Sequence, residues 1–271
     1  MSSDWWQQPR LKGYTSLFPR RIVDLIARSF AIVESGGLSG IGPERGRNFE
    51  RLFYELCDSR RIALVERAGS RTSFGQRSAS GLGHELDATT AGSDLLTQWE
   101  LKHLSVALQK NELLIFNGKG LDFLQGSSRR LAKIPIHRFL LSGRPVRDEC
   151  RLFAILWGIS AIEPYWLPLP LIYEASVRGA NSVLSRADFE AVVDLASWAC
   201  RPLQKTVAEI SSWSNLNVRI AKCGPKANSI AREVMDLQEQ IGRDVRDYLD
   251  EEFPDWVDNL ASHTWIKVGG W

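Results

Sequence analysis

The chain has 271 residues, of which 44% are hydrophobic, 10% aromatic and 24% charged. These values are typical of globular proteins and exclude a disordered, collagen-like or coiled-coil chain. The formal net charge of +2 is unevenly distributed, because residues 1–150 carry +6 and residues 151–271 carry −4. A basic half beside an acidic half indicates a polyanionic partner for the first half.

The cysteines and the apolar segments exclude several further classes of protein. Four cysteines without a Cys-x-x-Cys pair predict neither a disulfide scaffold nor a zinc finger. The first residues lack the basic start and apolar run of a signal peptide. The longest apolar run, 152–162, is too short to cross a bilayer and predicts a buried strand. We therefore expect a soluble cytoplasmic protein without a membrane partner.

The first 162 residues alternate between helical and strand patterns. Apolar spacing predicts helices over 20–34, 45–57 (with Phe49, Leu52, Phe53 and Leu56 inward) and 105–125. Strands are predicted over 61–65, 83–89, 95–104, 134–141 and 151–162. The order helix, strand, strand, strand, helix, strand predicts an α/β core with a mixed sheet and flanking helices.

The last third of the chain has a helical pattern. Helices are predicted over 186–200, from Pro202 to about Trp213, and from Pro225 to about Glu252. We expect a single domain over 1–271 with a core at 43–160 and a helical C-terminal region at 174–262.

The chemistry is concentrated in residues 84–103, HELDATTAGSDLLTQWELKH. Alternate side chains share one face of a strand, so Glu100 and Lys102 lie together, as do Glu85 and Asp87. If the two strands form a hairpin, Asp87 and Glu100 converge near the lysine. Two carboxylates and a main-chain carbonyl, here that of Leu101, suit Mg²⁺. With the lysine on the scissile phosphate, this is a workable site for phosphodiester hydrolysis.

Asp87 followed by Glu100-x-Lys102 on the next strand resembles the PD-(D/E)xK nuclease superfamily, whose fold is that of restriction endonucleases. The resemblance covers about residues 43–160. It implies that Asp87, Glu100 and Lys102 are catalytic, and that Asp87, Glu100 and the Leu101 carbonyl bind Mg²⁺. Leu86 stands where many members have proline, and Gln109-x-x-x-Leu113 departs from the Gln-x-x-x-Tyr of exonuclease-type members.

The helices on both sides of the motif extend the resemblance. A helix before the first core strand often supplies another acid in this family, and FERLFYEL offers Glu50 and Glu55, of which Glu50 is favoured. The helix after the motif offers Gln109, Lys110 and Lys119 as polar contacts. Chain length and helical additions are similar to those of Type II restriction endonucleases, which implies double-stranded DNA as substrate and a homodimer matching a palindromic duplex.

Basic clusters in the first half are candidate DNA contacts, since arginine forks and loop N–H groups bind phosphates. The candidates are Arg71, Arg77, Arg129, Arg130 and Lys133.

Other interpretations of these residues stay open. Glu100 and Lys102 are also compatible with a solvated cross-strand ion pair, and Asp87 with a turn carboxylate. His84 and His103 flank the acids and suit structural or DNA-contacting roles. The alternative functions are a repair or junction-cleaving nuclease of the same fold and a catalytically silent nucleic-acid-binding protein.

Overall fold

The fold is taken from a computed structural model of the chain. It describes residues 40, 42–59, 61–67, 78–91, 95–127, 133–163 and 202–211, together with the single positions 240, 243, 247, 250 and 251. Within these residues no helix combines the length and the apolar character needed to cross a membrane.

Four helices and five strands make up the described fold. The helices are α1 (Pro43–Ser59), α2 (Lys110–Gly126), α3 (Asp148–Leu156) and α4 (Leu203–Ser211). The strands are β1 (Leu64–Arg67), β2 (Ala88–Ala91), β3 (Leu96–Lys102), β4 (Ile136–Ser142) and β5 (Ile159–Ile162). All of these elements belong to one compact unit, formed by Gly40–Glu163 and Trp198–Arg232. A second unit consists of Met1–Ser39, Pro164–Ser197 and Glu233–Trp271.

The five strands form one mixed sheet in the order β1-β2-β3-β4-β5. The β1–β2 and β2–β3 pairs are antiparallel, whereas β3–β4 and β4–β5 are parallel. Parallel neighbours need a crossover, and α2 and α3 supply the two crossovers. The molecule is therefore α/β with a mixed central sheet, and the predicted order of helix, three strands, helix and strand is confirmed.

Helices α1 and α2 cover opposite faces of β3. The Phe53 ring of α1 lies 5.0 Å from Trp99, which stacks on Phe139 at 4.7 Å. Glu100, the next residue, instead contacts Lys119 of α2. Because successive strand residues point to opposite faces, Trp99 belongs to the α1 side and Glu100 to the α2 side.

A buried arginine helps to dock α2 onto the sheet. Arg138 of β4 donates a hydrogen bond from Nη1 to Oδ1 of Asn117 in α2 at 2.6 Å, and another from Nη2 to the carbonyl of Trp157. Burial lowers the pKa of its guanidinium to about 9. The same face of α2 buries Leu113 and Phe116 in a cluster with Leu140. These contacts determine where the polar residues of α2 meet β3.

One predicted strand is wrong in its first part. Residues 151–162 form the end of α3 and then the short strand β5. A continuous apolar run does not distinguish a buried helix from a buried strand. The break comes at Gly158, which has a φ of 64° and donates a hydrogen bond to the carbonyl of Ile155 at 3.1 Å. Glycine tolerates this left-handed conformation, which ends α3 and starts the turn into β5.

The predicted strand over 83–89 is also largely wrong, because β2 begins only at Ala88. Glu85 and Asp87 therefore do not share a strand face. The strands predicted over 95–104 and 134–141 are confirmed as β3 and β4, and the one over 61–65 lies a few residues later as β1.

The predicted helices agree with the structure where it describes them. Helix α1 covers the prediction for 45–57, with Phe49 and Phe53 fully buried and Leu52 and Leu56 half-buried. Helix α2 begins at Lys110 rather than at 105. Helix α4 follows Pro202 as predicted, and the five single positions from 240 to 251 are helical. The predicted helices over 20–34 and 186–200 lie outside the described residues.

Candidate active site

Asp87 stands where β2 begins, opposite the end of β3. The last antiparallel pair joins Ala88 to Trp99. Asp87 stands one residue before β2, and its side chain takes the place of a main-chain partner for β3. Its Oδ2 accepts a hydrogen bond from the Leu101 N–H at 2.7 Å. The main-chain carbonyl of Asp87 accepts a second bond, from the Tyr54 hydroxyl of α1 at 2.6 Å. Asp87 is only 9% exposed, so its position is held from both sides.

Lys102 brings the two predicted acids together. Its Nζ lies 2.8 Å from Oε1 of Glu100 and 3.2 Å from Oδ2 of Asp87. Because both oxygens contact the same nitrogen, they are at most about 6 Å apart, a separation that one hard cation with a few waters can bridge. The predicted convergence of Asp87, Glu100 and Lys102 is confirmed as geometry, although Asp87 reaches the cluster from a bend rather than from a strand.

Glu100 is a buried carboxylate with two lysine partners. Glu100 is 3% exposed. The Nζ of Lys119, which belongs to the helix α2 that covers this face of β3, lies 3.4 Å from Oε2 of Glu100. Burial and the nearby Asp87 raise the pKa of Glu100, while Lys102 and Lys119 oppose the rise. Of the polar contacts expected from α2, Lys119 thus reaches the site, whereas Gln109 and Lys110 are exposed at the start of the helix.

Lys102 is charged in this arrangement. Burial acts to lower the pKa of its ammonium, but Glu100 and Asp87 raise it further than burial lowers it, and the net shift is upward. This confirms the expectation that the acids outweigh the desolvation of the lysine when no metal ion is present.

Glu50, the acid favoured in α1, has a pKa that is influenced by the charges of the cluster. Burial raises the pKa of Glu50, the charge of Asp87 raises it further, and Lys102 lowers it, so Glu50 lies within electrostatic reach of both. Glu55 lies one turn further on, is 69% exposed at its side chain, and pairs with Arg51 at 3.9 Å.

Residues 78–86 lie along α2 and are anchored by Asp122, which the sequence interpretation missed. Oδ1 of Asp122 accepts a hydrogen bond from the Ser80 N–H at 2.9 Å, and Oδ2 accepts one from the Ser80 hydroxyl. Nε2 of His84 lies 2.6 Å from the same Oδ2. Mainly through the Ser80 bonds, the pKa of Asp122 is lowered to about 2.

The Asp122 contacts position the segment that leads into Asp87. Leu86, fully buried beside α2, completes the attachment one residue before the acid. The signal available in the sequence was the spacing of Lys119 and Asp122, which are three residues apart and therefore on one face of α2. His84 thus has a structural contact, in keeping with one of its two predicted roles.

The predicted DNA contacts are only partly described. Lys133 is exposed before β4. Arg71, Arg77, Arg129 and Arg130 lie outside the described residues.

The donor atoms of the cluster fit Mg²⁺. Asp87 and Glu100 provide carboxylate oxygens, and the Leu101 carbonyl leaves β3 on the same edge as its N–H, which bonds to Asp87. Hard oxygen donors in this number suit an ion that keeps several waters. In the described part of the chain, no three His, Cys, Asp or Glu side chains already form a metal-binding group. The Lys102 ammonium contacts both carboxylates, so a divalent ion held by them would compete with it.

A scan against protein-family models and searches of curated proteins and of solved structures found no match for this chain. The residues and their geometry therefore carry the functional argument.

Proposed function

We propose that the protein is a Mg²⁺-dependent endodeoxyribonuclease of the PD-(D/E)xK type that hydrolyses phosphodiester bonds in double-stranded DNA. The observation that carries the proposal is the contact of one ammonium, that of Lys102, with Asp87 and Glu100, where the start of β2 lies beside the end of β3. The family resemblance requires an acid on one strand, Glu-x-Lys on its neighbour and an acid on the preceding helix. The proximity of Glu50 to Asp87 supports the last of these.

Each residue of the cluster has a distinct part in the proposed reaction. Bound Mg²⁺ lowers the pKa of a water ligand and neutralises charge on the phosphate. Asp87, Glu100 and the Leu101 carbonyl would hold the ion, and Lys119 offsets the buried charge of Glu100. The Lys102 ammonium would contact the scissile phosphate and stabilise the negative charge that grows in the transition state.

The proposed reaction is the hydrolysis of a phosphodiester bond. The oxygen of the attacking water forms a new bond to phosphorus, and the bond from phosphorus to the leaving sugar oxygen breaks. The leaving oxygen takes up a proton and the attacking water loses one. No oxidant, reductant or other co-reactant is needed.

Within this class we propose a site-specific enzyme of Type II that acts as a homodimer. A two-fold dimer presents two clusters to the two strands of a palindromic duplex. Sedimentation of the protein with and without a duplex tests this part, and a monomer in both conditions would contradict it.

Cleavage of supercoiled plasmid by the purified chain in MgCl₂ and in EDTA tests the main proposal. Discrete fragments support a site-specific enzyme, a smear supports a repair-type nuclease of low specificity, and intact plasmid with retained DNA binding supports the silent binding protein. The variants E100Q and K102A should each lose cleavage by about 10³-fold, because they remove a metal ligand and a transition-state contact. The control K110A alters an exposed lysine of α2 and should cleave normally.

Lys102 should act on rate rather than on binding. K102A should keep its DNA affinity, and K102R should recover little activity because a planar guanidinium does not replace a compact ammonium. A folded K102A protein that cleaves at the wild-type rate would overturn the proposal.

A further inference from the structure

His103, beside the end of β3 and next to the cluster of acids, is contacted by residues of two other parts of the fold. His103 directly follows Lys102, and its ring centroid lies 5.8 Å from that of Phe49 in α1. The imidazole also lies against Gly143, where even a Cβ atom would overlap with Nδ1. Through Phe49 and Gly143, a part of α1 and the turn after β4 both lie next to His103.

Each of these two parts carries an arginine, Arg45 in α1 and Arg144 after β4. Arg45 lies four residues before Phe49 on α1 and therefore on the same helix face. Its Nε donates a hydrogen bond to the Gly40 carbonyl at 3.0 Å, which holds the base of the guanidinium. Arg144 follows Gly143, whose N–H donates to the Lys102 carbonyl at 2.8 Å.

The turn that carries Arg144 is also held in place. The Ser142 hydroxyl donates to the Arg144 carbonyl at 2.6 Å and accepts from the Arg144 N–H at 3.3 Å. The arginine therefore extends from a turn that is anchored to the end of β3 and to β4.

Arg45 and Arg144 contribute two positive charges to this part of the molecule. Within the described parts of the chain neither arginine takes part in an ion pair, and the acid of the first turn of α1, Glu44, is not paired with them. His103 Nδ1 is buried without a hydrogen-bond partner.

We propose that Arg45 and Arg144, on the two elements that contact His103, form a subsite that binds a backbone phosphate of DNA adjacent to the scissile phosphate. The inference rests on the proposed function and adds a DNA contact to it. Lys102 ends β3 and His103 follows it, with Cα atoms about 3.8 Å apart. A DNA strand that crosses the end of β3 with its scissile phosphate at the cluster of acids therefore places a neighbouring phosphate at the arginine pair.

Arginine is the residue suited to this contact, because its planar fork binds phosphate oxygens in pairs. Phosphate contacts of this kind set the register of a protein on DNA and carry no base specificity. The subsite is therefore expected to orient the scissile bond rather than to select the sequence.

Salt-dependent binding of a fluorescein-labelled 20-base-pair duplex tests the subsite. The protein should carry E100Q, so that cleavage does not interfere, and affinity is measured by anisotropy between 50 and 200 mM KCl. R45A and R144A should each reduce the slope of log affinity against log salt by about 0.9, the value for one lost phosphate contact. The loss of DNA affinity in each variant, relative to the parent protein, should therefore be about 3.5-fold smaller at 200 mM than at 50 mM KCl.

Matched controls separate a local contact from general charge. R47A removes an exposed arginine two residues from Arg45 on another face of α1, and R147A removes an exposed arginine close to Arg144 in sequence. Both controls should keep the slope. R144K should recover most of the slope, since it restores the charge without the fork. Thermal melting identifies any variant that is unfolded. If R45A or R144A is unfolded, the salt slope of the other variant tests the subsite.

The outcomes distinguish this proposal from the nuclease proposal. If the wild type cleaves DNA but R45A and R144A keep their slopes, the subsite is refuted and the nuclease stands. If the slopes fall but the wild type does not cleave, the subsite is supported and the protein binds DNA without cleaving it. Equal effects of the controls, or no duplex binding at 50 mM KCl, would overturn the subsite.

Discussion

Replacing Lys102 by methionine isolates what its ammonium does in the folded protein. Methionine keeps an unbranched apolar stem of similar length and removes only the charge. In the wild type the ammonium contacts Asp87 and Glu100, whose side chains are 12% and 4% exposed. Without it, two buried carboxylates face each other, and Lys119 remains near one of them at 3.4 Å.

The expected loss of stability is about 3 kcal/mol at pH 8. Breaking a buried ion pair by removing one partner costs about 3–5 kcal/mol, and the 19% exposure of the Lys102 side chain together with Lys119 favours the lower end. The folded pKa of Glu100 is already raised by burial and Asp87, and K102M removes a charge that opposes this rise.

The loss should be smaller at pH 5. A carboxyl group whose pKa is higher in the folded than in the unfolded state binds a proton more readily when folded, so stability increases as pH falls through the folded pKa. Protonation of Glu100 in the variant also ends its repulsion with Asp87. The contribution of Lys102 itself, whose folded pKa is raised, is fully present below its unfolded pKa of about 10.4 and is therefore constant between pH 5 and 8.

Urea unfolding of wild type, K102M and the exposed control K110M at pH 5 and 8, followed by tryptophan fluorescence, measures these differences. Addition of MgCl₂ at pH 8 extends the test, since a divalent ion held by Asp87 and Glu100 would supply the positive charge that K102M removes. At 100 times its dissociation constant it should return about 2.7 kcal/mol to K102M. Equal losses at both pH values would refute the electrostatic reasoning, and no response to Mg²⁺ would refute the assignment of these acids as a cation site.

Three further predictions concern single positions. E50Q should lower plasmid cleavage by about 10²-fold, as expected for a positioned acid or base, while E55Q should not, and equal rates would remove Glu50 from the site. D122A should free residues 78–86 and raise the Mg²⁺ concentration needed for cleavage, with faster amide exchange there by mass spectrometry; unchanged exchange would contradict the anchoring role. G158A should lower the free energy of unfolding by about 1 kcal/mol because the residue has a φ of 64°, and an unaltered urea midpoint would count against this.

Local patterns in the sequence determined several of the helices and strands and the central pair of the candidate site. The helix at α1 and the strands β3 and β4 follow from apolar periodicity, which reports the face that each element buries. The same alternation put Glu100 and Lys102 on one face of β3, because the side-chain period of a strand does not depend on what surrounds it.

Tertiary structure decided which of several equivalent side chains meet. The amphipathic pattern of α1 does not separate Glu50 from Glu55, and the family resemblance alone favoured Glu50. In the folded chain the pKa of Glu50 is raised by burial and by the charge of Asp87, which follows from how α1 packs on the sheet. The apolar run at 152–162 folds as helix and strand because the parallel pair of β4 and β5 needs a crossover, which periodicity does not encode. Asp122 and the arginine cluster likewise depend on contacts between residues far apart in the chain, such as Ser80 with Asp122 and Phe49 with His103, which arise only when the helices pack on the sheet.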